Sequence, residues 1–264
     1  MFRLKEDNSV INRYGFNSEG HDTVAGRLSH RIRTWLFKNS VATKSGELVP
    51  SGVPRSLVLN KALGVNLGKN KISAAEDNSD YVKGVSSLGQ FADYIVVNIS
   101  SPNTPGLPNV KLMKEVKEAR DVHVAHRPPI LVKIAPDVNE VELEDIAAVV
   151  QEAEMDGVII SNTTISRPSY LKSDPTLVSQ IGGLSGPPVF PLAVEKIPII
   201  GCGGVSSAEE AIAYAKAGAS LVQLYTSLGY YGPGVVYDVK KGLVDYLKKE
   251  KTTWKELVGS DHQK

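Results

Sequence analysis

Short apolar runs that end in polar residues recur along the chain. Six of them read as β-strands bounded by turn residues: ALGVNLG (62–68), DYIVVNIS (93–100), ILVKIAP (130–136), GVIISNTT (157–164), IPIIGCGG (197–204) and SLVQLYT (220–226). They lie about 25–40 residues apart, which is the spacing of βαβ units. The runs are apolar throughout rather than alternating, as strands covered on both faces require. Between them, residues 141–157 carry apolar positions at helical spacing, acidic residues in the first turns and a terminal Gly157. Residues 206–219 predict a second helix, with Ser207 as N-cap and Gly218 as its stop.

Each strand also ends in a chemically useful group. In order these are Asn66, Asn98 with its loop, Lys133, Ser161–Asn162–Thr163, Gly203–Gly204 and Tyr225–Thr226. Parallel strands in an α/β protein point their C-terminal ends one way, so these groups are expected to converge on one face. The bland alternative is that polar residues only mark where strands stop. It accounts for one position well and six in succession poorly. An open six-stranded sheet fits the pattern, but the last two strands favour a barrel. The loop Gly-Cys-Gly-Gly (201–204) and the Tyr-Thr end of the next strand match the phosphate site that α/β barrels build after their last two strands. Glycine is expected there because backbone must approach phosphate closely. On that count the first strand seen here is the third.

Composition narrows the function classes. A chain of 264 residues suits one α/β barrel, which takes about 250. A net charge of +1 gives no electrostatic case for nucleic acid. The single cysteine, Cys202, excludes an internal disulfide and a cysteine-based zinc site, and it reads as filler in the glycine loop. No apolar run has the roughly 18–20 residues that cross a bilayer. The N-terminus reads as starting inside a domain, with no leader. His123 and His126 read as surface residues. The basic, aromatic stretch at 30–39 reads as a solvated helix with Trp35 and Phe37 buried, in preference to a membrane contact. The long stretch after Asn162, RPSYLKSDPTLVSQIGGLSG (167–186), reads as a lid that closes over substrate.

NRYGFNS (12–18), GVNLGKNK (64–71), VVNISSPNTPGL (96–107), LVKIAPD (131–137), SNTTISRP (161–168), GGLSGPP (182–188), IIGCGGVSS (199–207) and GASLVQLYT (218–226) together carry a family resemblance. Over almost the whole chain, in order, the sequence closely resembles dihydroorotate dehydrogenase, and more narrowly its membrane-associated, quinone-reducing class. The resemblance implies an α/β fold, a (β/α)8 TIM barrel of the FMN-dependent type. It implies removal of a proton from C5 of dihydroorotate while a hydride leaves C6 for flavin, giving orotate in de novo pyrimidine (UMP) synthesis. Ubiquinone is then the final electron acceptor and the mitochondrial inner membrane the expected location.

The same resemblance assigns roles. Ser101 stands where the family has its base; the cytosolic classes are similar but carry cysteine there. A serine is a poor base at neutral pH and needs a partner or relay, for which Thr104, or a water held by it, is the candidate. Asn12, Asn98, Asn103, Asn162 and Thr163 resemble the residues that pair with the flat edges of orotate, since a primary amide offers donors and an acceptor in one plane. Arg13, Tyr14, Gly15 and Phe16 belong to the same signature, with Phe16 walling the ring. Lys133 would meet the pyrimidine end of the flavin, where a cation stabilises the reduced ring. Asn66, Asn98 and Ser161 would bind ring or ribityl chain; Ser161 replaces a family threonine. Ser185, Gly186, Gly203, Gly204, Tyr225 and Thr226 would hold the phosphate and ribityl end.

The family pattern also departs from this sequence in two places. Its first two barrel strands and its quinone-side helical cap have no counterpart ahead of Phe2, and only about ten residues remain for the helix before residue 197. The chain is therefore expected to form a single, incomplete FMN-binding domain over residues 1–264, touching a membrane through a segment it lacks. Two alternatives stay open: an inactive fragment or pseudoenzyme, and a flavin barrel acting on a related pyrimidine.

Overall fold

The computed structural model describes residues 1–15, 17–74, 76–99, 109–194 and 200–262. In chain order, a hairpin of β1 (Phe2–Leu4) and β2 (Ser9–Asn12) leads to α1 (His21–Lys38). Strands and helices then alternate through β3 (Gly64–Leu67), α2 (Ser79–Leu88), β4 (Tyr94–Asn98), α3 (Val110–His123), β5 (Ile130–Ile134), α4 (Glu140–Glu152) and β6 (Gly157–Ile160). The one-turn α5 (Pro175–Val178) precedes β7 (Gly183–Ser185) and α6 (Phe190–Val194). The chain ends with β8 (Ile200–Cys202), α7 (Ala208–Lys216), β9 (Leu221–Gln223), α8 (Thr226–Tyr231), α9 (Gly234–Glu250) and α10 (Trp254–Leu257). All six strands expected from the apolar runs form, hydrogen-bonded in the order β3-β4-β5-β6-β8-β9. The register is parallel at β3–β4, β6–β8 and β8–β9. The chain divides into two compact units.

One unit holds residues 16–132 and 141–156. In β4 the residues Ile95, Val96 and Val97 are all buried, so the strand is covered on both faces as its sequence demands. Helices α2 and α3 supply the cover: Tyr81, Val85 and Leu88 from one, Leu112, Met113 and Val116 from the other. Helix α3 starts cleanly because Asn109 Oδ1 accepts the Leu112 N–H at 2.7 Å. The Tyr81 hydroxyl donates to the Asn98 carbonyl at 3.0 Å and so fixes the tip of β4.

Two sequence expectations change here. Helix α4 stops at Glu152, short of Gly157, which opens β6 instead. The turn forms at Glu154, which takes a left-handed φ of 50° while the Met155 N–H donates to the Val150 carbonyl at 2.9 Å. In α1, Phe37 is 86% exposed, against the expectation that it is buried; Trp35 is half-buried. The cause is helical phase. With Ile32 facing inward, Trp35 and Leu36 fall near its side of the helix and Phe37 falls about 140° away. His123 and His126 are exposed, as expected, and the His126 Nε2–H donates to the Ala92 carbonyl at 2.8 Å.

The other unit holds residues 1–15, 133–140 and 157–264. Its hairpin was not foreseen. Strands β1 and β2 pair antiparallel through a 3-10 turn that ends on Asn8 with φ 47°, a conformation asparagine tolerates. β7 adds to β2, pairing Ile11 with Leu184 and Asn12 with Gly183. Leu4, Ile11, Leu184 and Val189 form the small core beneath this sheet. Helix α7 begins as expected at Ser207, whose N–H donates to Glu210 Oε2 at 2.6 Å, and stops before Gly218 with φ 115°. Among the described residues, no helix is long and apolar enough to cross a membrane.

Candidate active site

The C-terminal ends of β5, β6, β8 and β9 meet at a cavity of about 110 Å³ within the second of these units. Lys133 enters it from β5, a half-buried lysine between the buried Val132 and Ile134. Ser161, Asn162 and Thr163 follow β6. Their backbone is held from both sides: the Ser161 N–H donates to the Cys202 carbonyl at 2.6 Å and the Asn162 N–H to the Ile134 carbonyl at 2.8 Å. Ser185 and Gly186 arrive from β7, Cys202 to Val205 from β8, and Gln223 to Ser227 from β9 and the start of α8.

The lining chemistry is one-sided. Lys133 is its only ionic side chain among the described residues; no aspartate or glutamate joins it. Hydroxyls make up much of the rest. Thr226 Oγ1 donates to Ser185 Oγ at 2.9 Å, and Ser185 Oγ donates to the Val10 carbonyl at 3.3 Å. Beside them Ser227 Oγ is buried with no partner among the described residues. That hydroxyl is closed to the cavity as well as to solvent, so its lost hydrogen bond is a cost of local packing. Burial pushes the Cys202 thiol up, against the pull of the Lys133 ammonium.

Gly204 also meets a local steric need. Gly204 has φ 72°, and a Cβ built on it would lie 2.5 Å from Phe190 Cβ. Its small size is therefore demanded by backbone conformation and by α6, whether or not phosphate is near.

The sequence profile of the dihydroorotate dehydrogenase family matches residues 1–247. This chain belongs to the dihydroorotate dehydrogenase family. It is 46% identical to "Dihydroorotate dehydrogenase (quinone), mitochondrial" of Schizosaccharomyces pombe, over 98% of this chain and 64% of that one. It is 44% identical to the protein of the same name in Mus musculus, over 100% and 67%. A crystal structure of the Eimeria tenella dihydroorotate dehydrogenase in complex with ferulenol superposes with a TM-score of 0.83 at 33% identity, covering 100% of this chain and 74% of that one. The chain thus groups with the quinone-dependent class and spans about two thirds of its relatives' length. The alignment with the S. pombe relative runs over 287 positions against 264 residues here, so at least 23 positions lack a counterpart.

The residues that resemblance to dihydroorotate dehydrogenase singled out fall in four places. Lys133, Ser161, Asn162, Thr163, Ser185, Gly186, Gly203, Gly204, Tyr225 and Thr226 line the one cavity, although Tyr225 is 83% exposed. Asn12 stands nearby in the same unit, its Nδ2 donating to the Gly183 carbonyl at 3.4 Å. Arg13, Tyr14 and Gly15 are exposed and do not line the cavity; the Arg13 guanidinium lies over the Phe2 ring at 4.8 Å. Asn66 and Asn98 end β3 and β4 in the other unit. Phe16, Ser101, Asn103 and Thr104 lie outside the described residues. Gln223 and Ser227 line the cavity without having been singled out, and Cys202 lines it although it was read as filler. Ser227 was within reach of sequence reasoning, as the hydroxyl next to Thr226.

Proposed function

We propose that this chain binds FMN in the cavity beside Lys133 and oxidises dihydroorotate to orotate, a step of pyrimidine synthesis, with a quinone as final electron acceptor. The observation that carries this reading is the cavity's lining: among the described residues one cation, no carboxylate, and a row of hydroxyls. That donor set fits a ligand with a phosphate end and an electron-rich ring. Bound FMN supplies the two-electron acceptor, which no side chain can provide.

The chain's own residues do the rest. Lys133 offsets negative charge on the ring it faces. Ser185 and Thr226 donate to phosphate or ribityl oxygens, and Ser161, Asn66 and Asn98 take the remaining flavin positions that the family pattern gives them. Asn12, Asn162, Thr163, Asn98 and Asn103 pair with the edges and carboxylate of the substrate, which orients C5 and C6. Ser101 Oγ takes the proton from C5 and Thr104 passes it on; the relay is needed because an unassisted serine is a weak base. The six parallel strands are read as part of a (β/α)8 barrel. The relatives' names carry a quinone and a mitochondrial location; ubiquinone as that quinone and the inner membrane as the place are what the family resemblance adds.

Replacing Lys133 tests the cavity directly. Lys133→Met keeps the stem and removes the charge, so FMN affinity falls at least about tenfold, since a charge-assisted contact is worth roughly 1.5–3 kcal/mol. Fluorescence titration of FMN reads this out, with circular dichroism as the control for folding. Equal affinity in the two proteins would overturn the assignment.

A further inference from the structure

Two residues outside the cavity wall control the segments that make it. Asp137 follows β5, and its carboxylate gathers three donors from the chain leaving β6. Thr164 Oγ1 and Ser166 Oγ donate to Oδ1, the latter at 2.9 Å, and the Ile165 N–H donates to Oδ2 at 3.2 Å. Arg167 closes the loop that follows. Its Nε donates to the Val178 carbonyl at 2.9 Å, Nη1 to Ile165 and Ser166 at 3.1 and 3.0 Å, and Nη2 to Gln180 and Gly182, both at 2.8 Å. A guanidinium has five N–H bonds in a rigid plane, and here five backbone carbonyls receive them. Lysine has neither the number nor the geometry to replace it.

The ends of this loop flank the site. Thr164 and Leu184 exchange two backbone hydrogen bonds, at 3.0 and 2.8 Å. Gly182, which Arg167 holds, precedes Gly183, and a Cβ built on Gly183 would lie 2.1 Å from Thr163 Oγ1. The Thr163 side chain therefore rests directly on the Gly183 backbone. The Gly183 carbonyl in turn accepts from Asn12 Nδ2. Ile165 and Ile181 are 79% and 80% exposed, so apolar packing holds the adjoining Leu184 but not these two positions. Their carbonyls would be well served by water if the loop only had to exist. The expected lid is, in this structure, a braced loop, and the brace ends on the residues assigned to substrate.

We propose that Arg167 and Asp137 are positioning residues that set the pyrimidine-recognition geometry of Asn12, Asn162 and Thr163 while leaving the flavin end of the cavity unaffected. The proposal rests on the reading of this cavity as a flavin and pyrimidine site. Groups that orient a binding residue from behind are worth about 10–100-fold in function when removed.

The test uses the full chain loaded with FMN and the variants Arg167→Lys and Asp137→Asn. Orotate affinity is measured by calorimetry, FMN affinity by fluorescence, and backbone exchange over residues 161–166 by mass spectrometry. The expected result is orotate binding weakened at least about tenfold, FMN affinity within about twofold, and faster exchange at 163–166. If Arg167→Lys does not fold, Ser166→Ala removes one Asp137 donor and gives a smaller loss of orotate affinity, again with FMN unchanged. Unchanged orotate affinity in folded variants overturns the proposal alone. Parallel loss of both ligands together with Tm shows a merely structural role and also overturns it. A wild-type chain that binds FMN but no orotate overturns the pyrimidine reading, and the proposal with it.

Discussion

Cys202 is the one thiol in the chain, and it lines the cavity beside Lys133. Burial holds that thiol up and so protonated at neutral pH, and a thiol reacts with alkylating agents through its thiolate. Labelling with a maleimide at pH 7 is expected to be at least about tenfold slower than for an exposed cysteine, and slower again once FMN fills the cavity. Mass spectrometry of the single site reads the rate. Labelling that FMN leaves unchanged would mean that flavin sits elsewhere. At this scale the sequence was most informative where a side chain is costly in its setting unless something pairs with it. A lysine inside LVKIAP asks for a charged ligand, and Lys133 lines a cavity with no carboxylate among its described lining residues. It was least informative for glycine, because Gly204 is fixed by its φ and by Phe190, neither of which a Gly-x-Gly-Gly pattern reveals. Arg167 escaped notice for a related reason: its partners are carbonyls of residues 165–182, and carbonyls leave no trace in a sequence.

Among the elements, the loop after β3 has a carboxylate anchor of its own. Asp80, in the first turn of α2, accepts from Ser73 Oγ at 2.7 Å, from the Asn70 N–H at 2.9 Å and from Asn70 Nδ2 at 2.7 Å. Burial by itself raises its pKa, but these bonds and the charge of His21 outweigh it and hold the carboxyl below its ordinary value. A depressed carboxylate contributes stability above its unfolded pKa and loses it as pH falls through the folded one. Asp80→Asn should therefore lower Tm by about 1–3 °C at pH 7, a small effect because the site is largely solvated. The gap should narrow as pH falls below the ordinary aspartate range and close only once the depressed folded-state pKa is passed, where both proteins are neutral at this position. A gap that persists in acid would show that hydrogen-bond geometry, not charge, is what matters. The strands themselves were legible because βαβ units repeat one apolar signal. The β1–β2–β7 sheet was not, since strands of three and four residues are too short to show a period. Its register comes from contacts such as Ile11 with Leu184, far apart in sequence.

For the whole molecule, family membership was legible from motif order, and the TM-score of 0.83 to a solved relative agrees with the strand reading. The limits have a physical origin as well. β3 and β9 stand at the ends of the hydrogen-bonded order, each with one strand neighbour among the described residues, and a barrel closes only when every strand has two. Composition cannot say how such ends are satisfied, since backbone groups are the same in every sequence. The account's central claim is that this chain presents a working flavin and pyrimidine site, and the colour of the protein tests it most directly. The chain is loaded with FMN, made anaerobic and titrated with dihydroorotate while the visible flavin absorbance is followed. The account predicts stoichiometric bleaching by dihydroorotate, none by dihydrouracil, and recovery of the colour on adding a soluble ubiquinone analogue. A chain that holds flavin yet keeps its full absorbance under excess dihydroorotate would contradict it.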